Sequence, residues 1–172
     1  MLGNFTQALE VGKLAESYAE KYFRKHNISY QDVRDNPEYQ RIDVDYVTSI
    51  GKIEVKQNLH EAAKYHPGKF FWIETEVGNS KGWWHFNDTD YFLFFNDTGN
   101  GILLKNDDTF KNFINNLITN GDHSDYAFNR FDYKKDSRYN GYITAKSMRV
   151  YLEQLDNTGI DIQRLIKRKP TK

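Results

Sequence analysis

The sequence predicts an α/β domain with a central mixed β-sheet flanked by helices, and three observations carry that expectation. A long Pro-free segment rich in Ala, Glu and Lys runs from about Phe5 to His26. Short period-two or apolar runs follow between residues 42 and 96, and a helical repeat occupies Asp107 to Asn120. Helix, several strands and helix, in that order, fit a sheet covered by helices.

At 100° per residue, Phe5, Ala8, Leu9, Ala15, Tyr18, Ala19, Tyr22 and Phe23 fall on one broad arc of the first helix. Glu16 falls inside that arc. A carboxylate on an apolar face is costly without a partner, which makes Glu16 a candidate for a role beyond solubility. A polar loop from Gln31 to Gln40, broken by Pro37, comes next. Ile42 to Val47 alternates as a half-buried strand, with Asp43 and Asp45 on one face. Thr48 to Gly51 reads as a turn. Lys52 to Lys56 alternates again, with Ile53 and Val55 on one face and Glu54 and Lys56 on the other.

Pro67-Gly68 breaks the chain before a third strand, Lys69 to Val77. Asp90 to Asn96 is nearly continuous and aromatic, as a strand buried on both faces should be. The second helix turns Phe110, Phe113, Ile114, Leu117 and Ile118 inward and ends at Gly121. Thr144 is read as the N-cap of a third helix carrying Met148, Tyr151, Leu152 and Leu155.

The chain has 172 residues and no cysteine, which excludes thiol nucleophiles, thiolate-bound zinc and iron–sulfur clusters. No run approaches a membrane span and no secretory leader is evident, so a cytoplasmic protein is expected. The core is aromatic: 12 Tyr, 12 Phe and 3 Trp nearly equal the 30 Ile, Leu and Val. The 24 basic and 24 acidic residues cancel, but eleven of the former fall in residues 130–172 against five of the latter. This divides the chain into a core over 1–129 and a basic C-terminal extension over 130–172, packed on or continuing the same domain. Such asymmetry points to a polyanionic partner.

The chemistry concentrates on Asp43, Glu54 and Lys56. An antiparallel pair of strands joined by a short turn brings carboxylates from both together, where they repel unless a cation or proton lies between them. An oxygen-only donor set suits a hard divalent cation. Lys56 beside it would orient an attacking water and offset charge on a phosphate.

Arg41-Ile42-Asp43-Val44-Asp45, a turn, and Ile53-Glu54-Val55-Lys56 together resemble the PD-(D/E)XK nuclease superfamily. Gly12-Lys13-Leu14-Ala15-Glu16 resembles the helix motif that precedes the core in that family. Phe70-Phe71-Trp72-Ile73-Glu74, Gly82-Trp83 and Asp90-Tyr91 are similar to the family's segments downstream of the Glu-x-Lys strand. The resemblance covers roughly residues 9–96. It implies a restriction-endonuclease-like core and hydrolysis of DNA phosphodiesters to a 5′-phosphate and a 3′-hydroxyl. Asp43 and Glu54 would bind Mg²⁺, or Mn²⁺ as a substitute, helped by the Val55 carbonyl. Lys56 would position or activate water, and Glu16 would complete the site.

The sequence departs from the pattern in one place, since Arg41-Ile42 rather than a proline precede Asp43, and Asp45 stays a rival ligand. Gln57 and Glu74 are candidates for supporting contacts. Lys81, Trp83, Arg164, Lys167, Arg168 and Lys169 are the candidates for gripping DNA. A phage or repair/recombination endonuclease is expected, with a homodimer implied by cleavage of two strands. A catalytically inactive DNA-binding or assembly module and a site-specific restriction enzyme are the alternatives.

Overall fold

The computed structural model describes residues 5–60, 69–77, 80–120, 126–132, 142–156 and 158–165. Helix α1 spans Phe5–Lys25, as the Ala-rich pattern predicts. A short strand β1 (Tyr30–Asp32) and one helical turn α2 (Pro37–Gln40) replace the expected loop. Pro37 opens that turn rather than breaking the chain. Asn36 caps it by accepting the Glu38 N–H, and a proline in the first turn gives up no helical hydrogen bond.

Strands β2 (Tyr46–Thr48) and β3 (Gly51–Lys56) form the expected antiparallel pair. Gly51 adopts φ +137°, and a Cβ there would meet the Asp90 side chain at 2.8 Å. The same Asp90 carboxylate accepts the Lys52 N–H at 2.7 Å, so the turn docks directly on the start of the parallel neighbour. That neighbour is β6 (Tyr91–Phe95), aligned so that Glu54 lies beside Phe92 and Lys56 beside Phe94. Strand β7 (Gly101–Lys105) and the edge strand β10 (Ile162–Leu165) complete a six-stranded mixed sheet in the order β1-β2-β3-β6-β7-β10.

A second, antiparallel sheet holds β4 (Phe70–Val77), β5 (Ser80–Lys81), β8 (Tyr126–Asp132) and β9 (Tyr142–Tyr151) in the order β5-β4-β9-β8. Strand β9 occupies the segment expected to be a third helix, and only the turn α4 (Leu152–Leu155) is helical. Met148, Leu152 and Leu155 fit a helical repeat, but Met148 and Val150 are both buried, as one face of a strand requires. The strand pattern prevails because β9 pairs with β4 from Phe70 to Val77. The Gly121 stop lies outside the described residues.

Two cores flank the six-stranded sheet. On one face, Ala15, Ala19 and Phe23 of α1 pack against Tyr46, Ile53, Val55, Leu93 and Phe95. On the other, Phe92, Phe94, Ile102 and Leu104 meet Phe71, Ile73, Met148 and Val150 of the second sheet. Phe110 and Ile114 of α3 (Asp108–Asn120) join them, as the periodicity of that helix predicts. Phe71 stacks on Phe94 with ring centroids 4.5 Å apart. The molecule is thus a mixed α/β protein in which both sheets and the helices share an aromatic interior. Among the described residues, no helix is long and apolar enough to cross a membrane.

Candidate functional site

Strand β3 builds the site through its alternation. Ile53 and Val55 turn toward α1, so Glu54 and Lys56 project from the opposite face. Glu54 is only 4% exposed, and Lys56 is half-buried beside it. The Lys56 ammonium pairs with Glu54 Oε1 and, at 3.2 Å, with Asp43 Oδ2. Two acceptors that share one ammonium stand no more than about 6 Å apart. Asp43, Glu54 and Lys56, drawn from two chain segments, therefore meet at one point.

Asp43 reaches that point by a route the alternation does not describe. Ile42 to Val44 is not a strand, because the Tyr39 carbonyl accepts both the Ile42 and the Val44 N–H at 3.1 Å and folds the chain back. Asp43 takes φ 56°, the left-handed region that Asp tolerates better than most residues. The expected shared strand face of Asp43 and Asp45 is thus corrected: Asp43 sits in a turn, and only the residues from Tyr46 onward form the strand. Asp45 has a different task. Its Oδ2 accepts the Val55 N–H at 2.8 Å.

Glu74 enters from β4. It is half-buried and lies near enough to the Trp83 backbone N–H, Lys56 and Asp43 to feel all three. Trp83 belongs to a short 3₁₀ turn (Trp83–His85), and its ring centroid lies 5.0 Å from Lys56 Nζ and 5.4 Å from the Phe92 ring. This indole walls the site and steadies the ammonium. Gln57, the next residue on the chain, buries its Oε1 without a hydrogen-bond partner.

Four carboxyl groups thus lie around one ammonium, and the proton affinities of Glu54, Asp45 and Glu74 register the imbalance. Burial raises the Glu54 carboxyl well above its ordinary range, the Asp45 and Asp43 charges raise it further, and Lys56 opposes them. Burial likewise raises Asp45, against the pull of the Val55 N–H. It also raises Glu74, against the Trp83 N–H. Burial would lower Lys56, but Glu54 and Asp43 outweigh it and hold the amine protonated. The pocket favours one more positive charge than its own side chains supply.

No family model, curated protein or solved structure matches this chain. The reading of the site therefore rests on its own geometry. Among the described residues, no three His, Asp or Glu side chains are arranged to hold a metal ion together. The donor chemistry nonetheless suits a hard cation: oxygen acceptors only and surplus negative charge.

The remaining predicted residues lie elsewhere. Glu16 does not join the cluster. It pairs with Arg34, which also binds Asp32, lies 3.9 Å from Glu20 and covers the Tyr46 ring at 5.2 Å. Tyr46 and α1 occupy the sheet face opposite Glu54 and Lys56, so a partner for the helix carboxylate comes from the β1 side. Lys81 is exposed at the sheet edge across from Glu76. Arg164 is exposed on β10 and paired with Asp156. Lys167, Arg168 and Lys169 lie outside the described residues. Sequence reasoning overlooked Arg34, whose only local signal was an acid two residues before it, Asp32.

Proposed function

We propose that the chain is a divalent-metal-dependent DNA endonuclease with a restriction-endonuclease-like core. The observation that carries this reading is the convergence of Asp43 and Glu54 on the Lys56 ammonium at the end of a β-hairpin. The pairing of β3 with a parallel β6, under a helix on the other face, supports the finer fold assignment.

Asp43 and Glu54 would hold Mg²⁺, with Asp45 as the rival ligand and the Val55 carbonyl as a further donor. The bound cation supplies Lewis-acid stabilisation of the scissile phosphate and lowers the pKa of water. Lys56 would orient the attacking water and offset charge on the phosphate. Asp45 fixes the β2–β3 pairing at the site by holding the Val55 N–H. Trp83 excludes solvent from one side of Lys56.

The test is Mg²⁺-dependent nicking of supercoiled plasmid and branched DNA by wild type, Glu54→Ala and Lys56→Ala. Each substitution is expected to lower the rate by about 10²- to 10³-fold. Equal rates in all three proteins would sink the assignment. A DNA-binding module without catalysis is the second reading, favoured by the ammonium that already bridges Asp43 and Glu54. In that case millimolar Mg²⁺ leaves the thermal midpoint of wild type unchanged.

Glu16 provides a separate check. Its carboxylate is engaged by Arg34 on the far face of the sheet. Glu16→Gln is expected to keep the nicking rate within about threefold of wild type and to cost about 1 kcal/mol or less of stability. A loss as large as that of Glu54→Ala would place Glu16 in the site after all.

A further inference from the structure

The loop that delivers Asp43 leaves β1 at Val33 and returns to β2 through Val44 and Asp45. Its neck is closed by the Val33 N–H, which donates to the Asp45 carbonyl at 3.0 Å. Val33 and Val44 are 4% and 2% exposed, but no residue between them is buried. A segment with so little apolar burial opens locally with little free energy. Its position depends on polar contacts instead.

Inside the loop those contacts run from one end to the other. The Gln40 side chain donates to the Arg34 carbonyl at 2.6 Å, and the Gln40 carbonyl accepts the Asp43 N–H at 3.5 Å. Among the described residues, the ion pairs of residues 34–43 come from the two ends. Asp43 meets Lys56 at one of them. At the other, the Arg34 guanidinium pairs with Glu16 of α1, donates its Nε–H to Asp32 Oδ1 at 2.9 Å, lies 3.9 Å from Glu20 and covers the Tyr46 ring. Tyr46 packs with α1 on one face of the sheet, and Lys56 projects from the other. The loop thus passes between the faces, clasped by Arg34 on the first and carrying Asp43 to the second.

A surface ion pair taken singly contributes little. Arg34 is half-buried, however, and its planar fork engages a helix, a strand and a ring at once. Glu16→Gln leaves Asp32, Glu20 and Tyr46 in place, whereas loss of the guanidinium removes every one of these contacts.

We propose that Arg34 is a positioning residue for Asp43, setting the affinity of the pocket for its cation without touching cation or DNA. The metal part of this statement rests on the nuclease reading, and the clasp itself does not.

Wild type, Arg34→Met and Arg34→Lys are compared by Mn²⁺ titration without DNA, by nicking across a Mg²⁺ series, and by amide exchange in chelator. Arg34→Met is expected to bind Mn²⁺ about tenfold more weakly and to need about tenfold more Mg²⁺ for half-maximal nicking, the lower end of what a lost outer partner costs a metal site. At saturating Mg²⁺ its rate returns to within about threefold of wild type, because Arg34 takes no part in the chemistry. The Ile42 and Val44 amides exchange about tenfold faster while those of β6 are unchanged, which separates a loosened loop from a destabilised fold. Lysine keeps the charge without the fork, so Arg34→Lys falls between the two, and it carries the test if the Met variant does not fold. Unchanged loop exchange or unchanged Mn²⁺ affinity in the folded variant would overturn the proposal, as would a lower rate that saturating Mg²⁺ does not restore. Failure of wild type itself to bind Mn²⁺ and nick DNA would instead sink the nuclease reading, and loop exchange would still decide the clasp.

Discussion

Glu54→Gln is expected to lower Mg²⁺-dependent nicking by about 10²- to 10³-fold while raising the thermal midpoint of the metal-free protein. The two effects have one source. Glu54 is 4% exposed, and burial together with the Asp45 and Asp43 charges disfavours its ionised form more than Lys56 supports it. Glutamine keeps an acceptor for the Lys56 ammonium without the negative charge. About 1 kcal/mol of relief corresponds to a rise of about 2–4 °C for a domain of this size.

The pH dependence fixes the sign. A carboxyl whose folded pKa is raised contributes stability fully present below its unfolded value, here near 4.5, and lost as the pH rises through the folded value. The advantage of the Gln variant is therefore largest at neutral pH and shrinks as the pH falls toward 4.5. Thermal midpoints from pH 4 to 8, with chelator and with millimolar Mg²⁺, check both parts. Wild type alone should gain stability from the metal. A lower midpoint for Glu54→Gln in chelator at neutral pH would mean that the Lys56–Glu54 pair outweighs the cost of burial, contrary to the charge balance of the pocket.

The parts of the site legible in the sequence are those fixed by local period. Ile53 and Val55 needed only alternation to separate from Glu54 and Lys56, and the α1 core bears that division out. The aromatic run at β6 and the inward face of α3 were equally local signals. Asp43 was placed on a strand because Ile42 to Val47 alternates. Its left-handed φ comes from two N–H groups sharing the Tyr39 carbonyl, a constraint that composition does not reveal. Glu16 stands out in the sequence as a carboxylate inside an apolar helical arc, and its partner Arg34 comes from a loop eighteen residues onward in the chain. The segment from Thr144 to Leu155 supports both periods, and pairing with β4 decided between them.

Lys56→Met is the second large effect, and it separates the two roles of this side chain. Methionine retains much of the bulk beside Trp83 but leaves Asp43, Asp45, Glu54 and Glu74 without the cation that acts on each of them. Removing one partner of a buried charge set costs about 3 kcal/mol or more at neutral pH, because the remaining charges lose their compensation. Nicking should fall by about 10²-fold or more for want of the group that steadies the water and the phosphate. The two losses respond differently to pH. Lys56 is held protonated above its ordinary 10.5, so in wild type its own titration removes stability only at strongly alkaline pH and contributes no slope between pH 5 and 8. In the variant the folded-state carboxyls rise further, since Lys56 lowers Glu54, Asp45 and Glu74 in wild type. Protonation of the folded state then begins at higher pH, and the stability deficit against wild type narrows as the pH falls from 8 toward 5. Nicking does not return with it, because the lost group is the amine itself. Parallel midpoint curves for the two proteins across that range would show that the carboxyls do not depend on Lys56, and recovery of nicking at low pH would remove Lys56 from the chemistry.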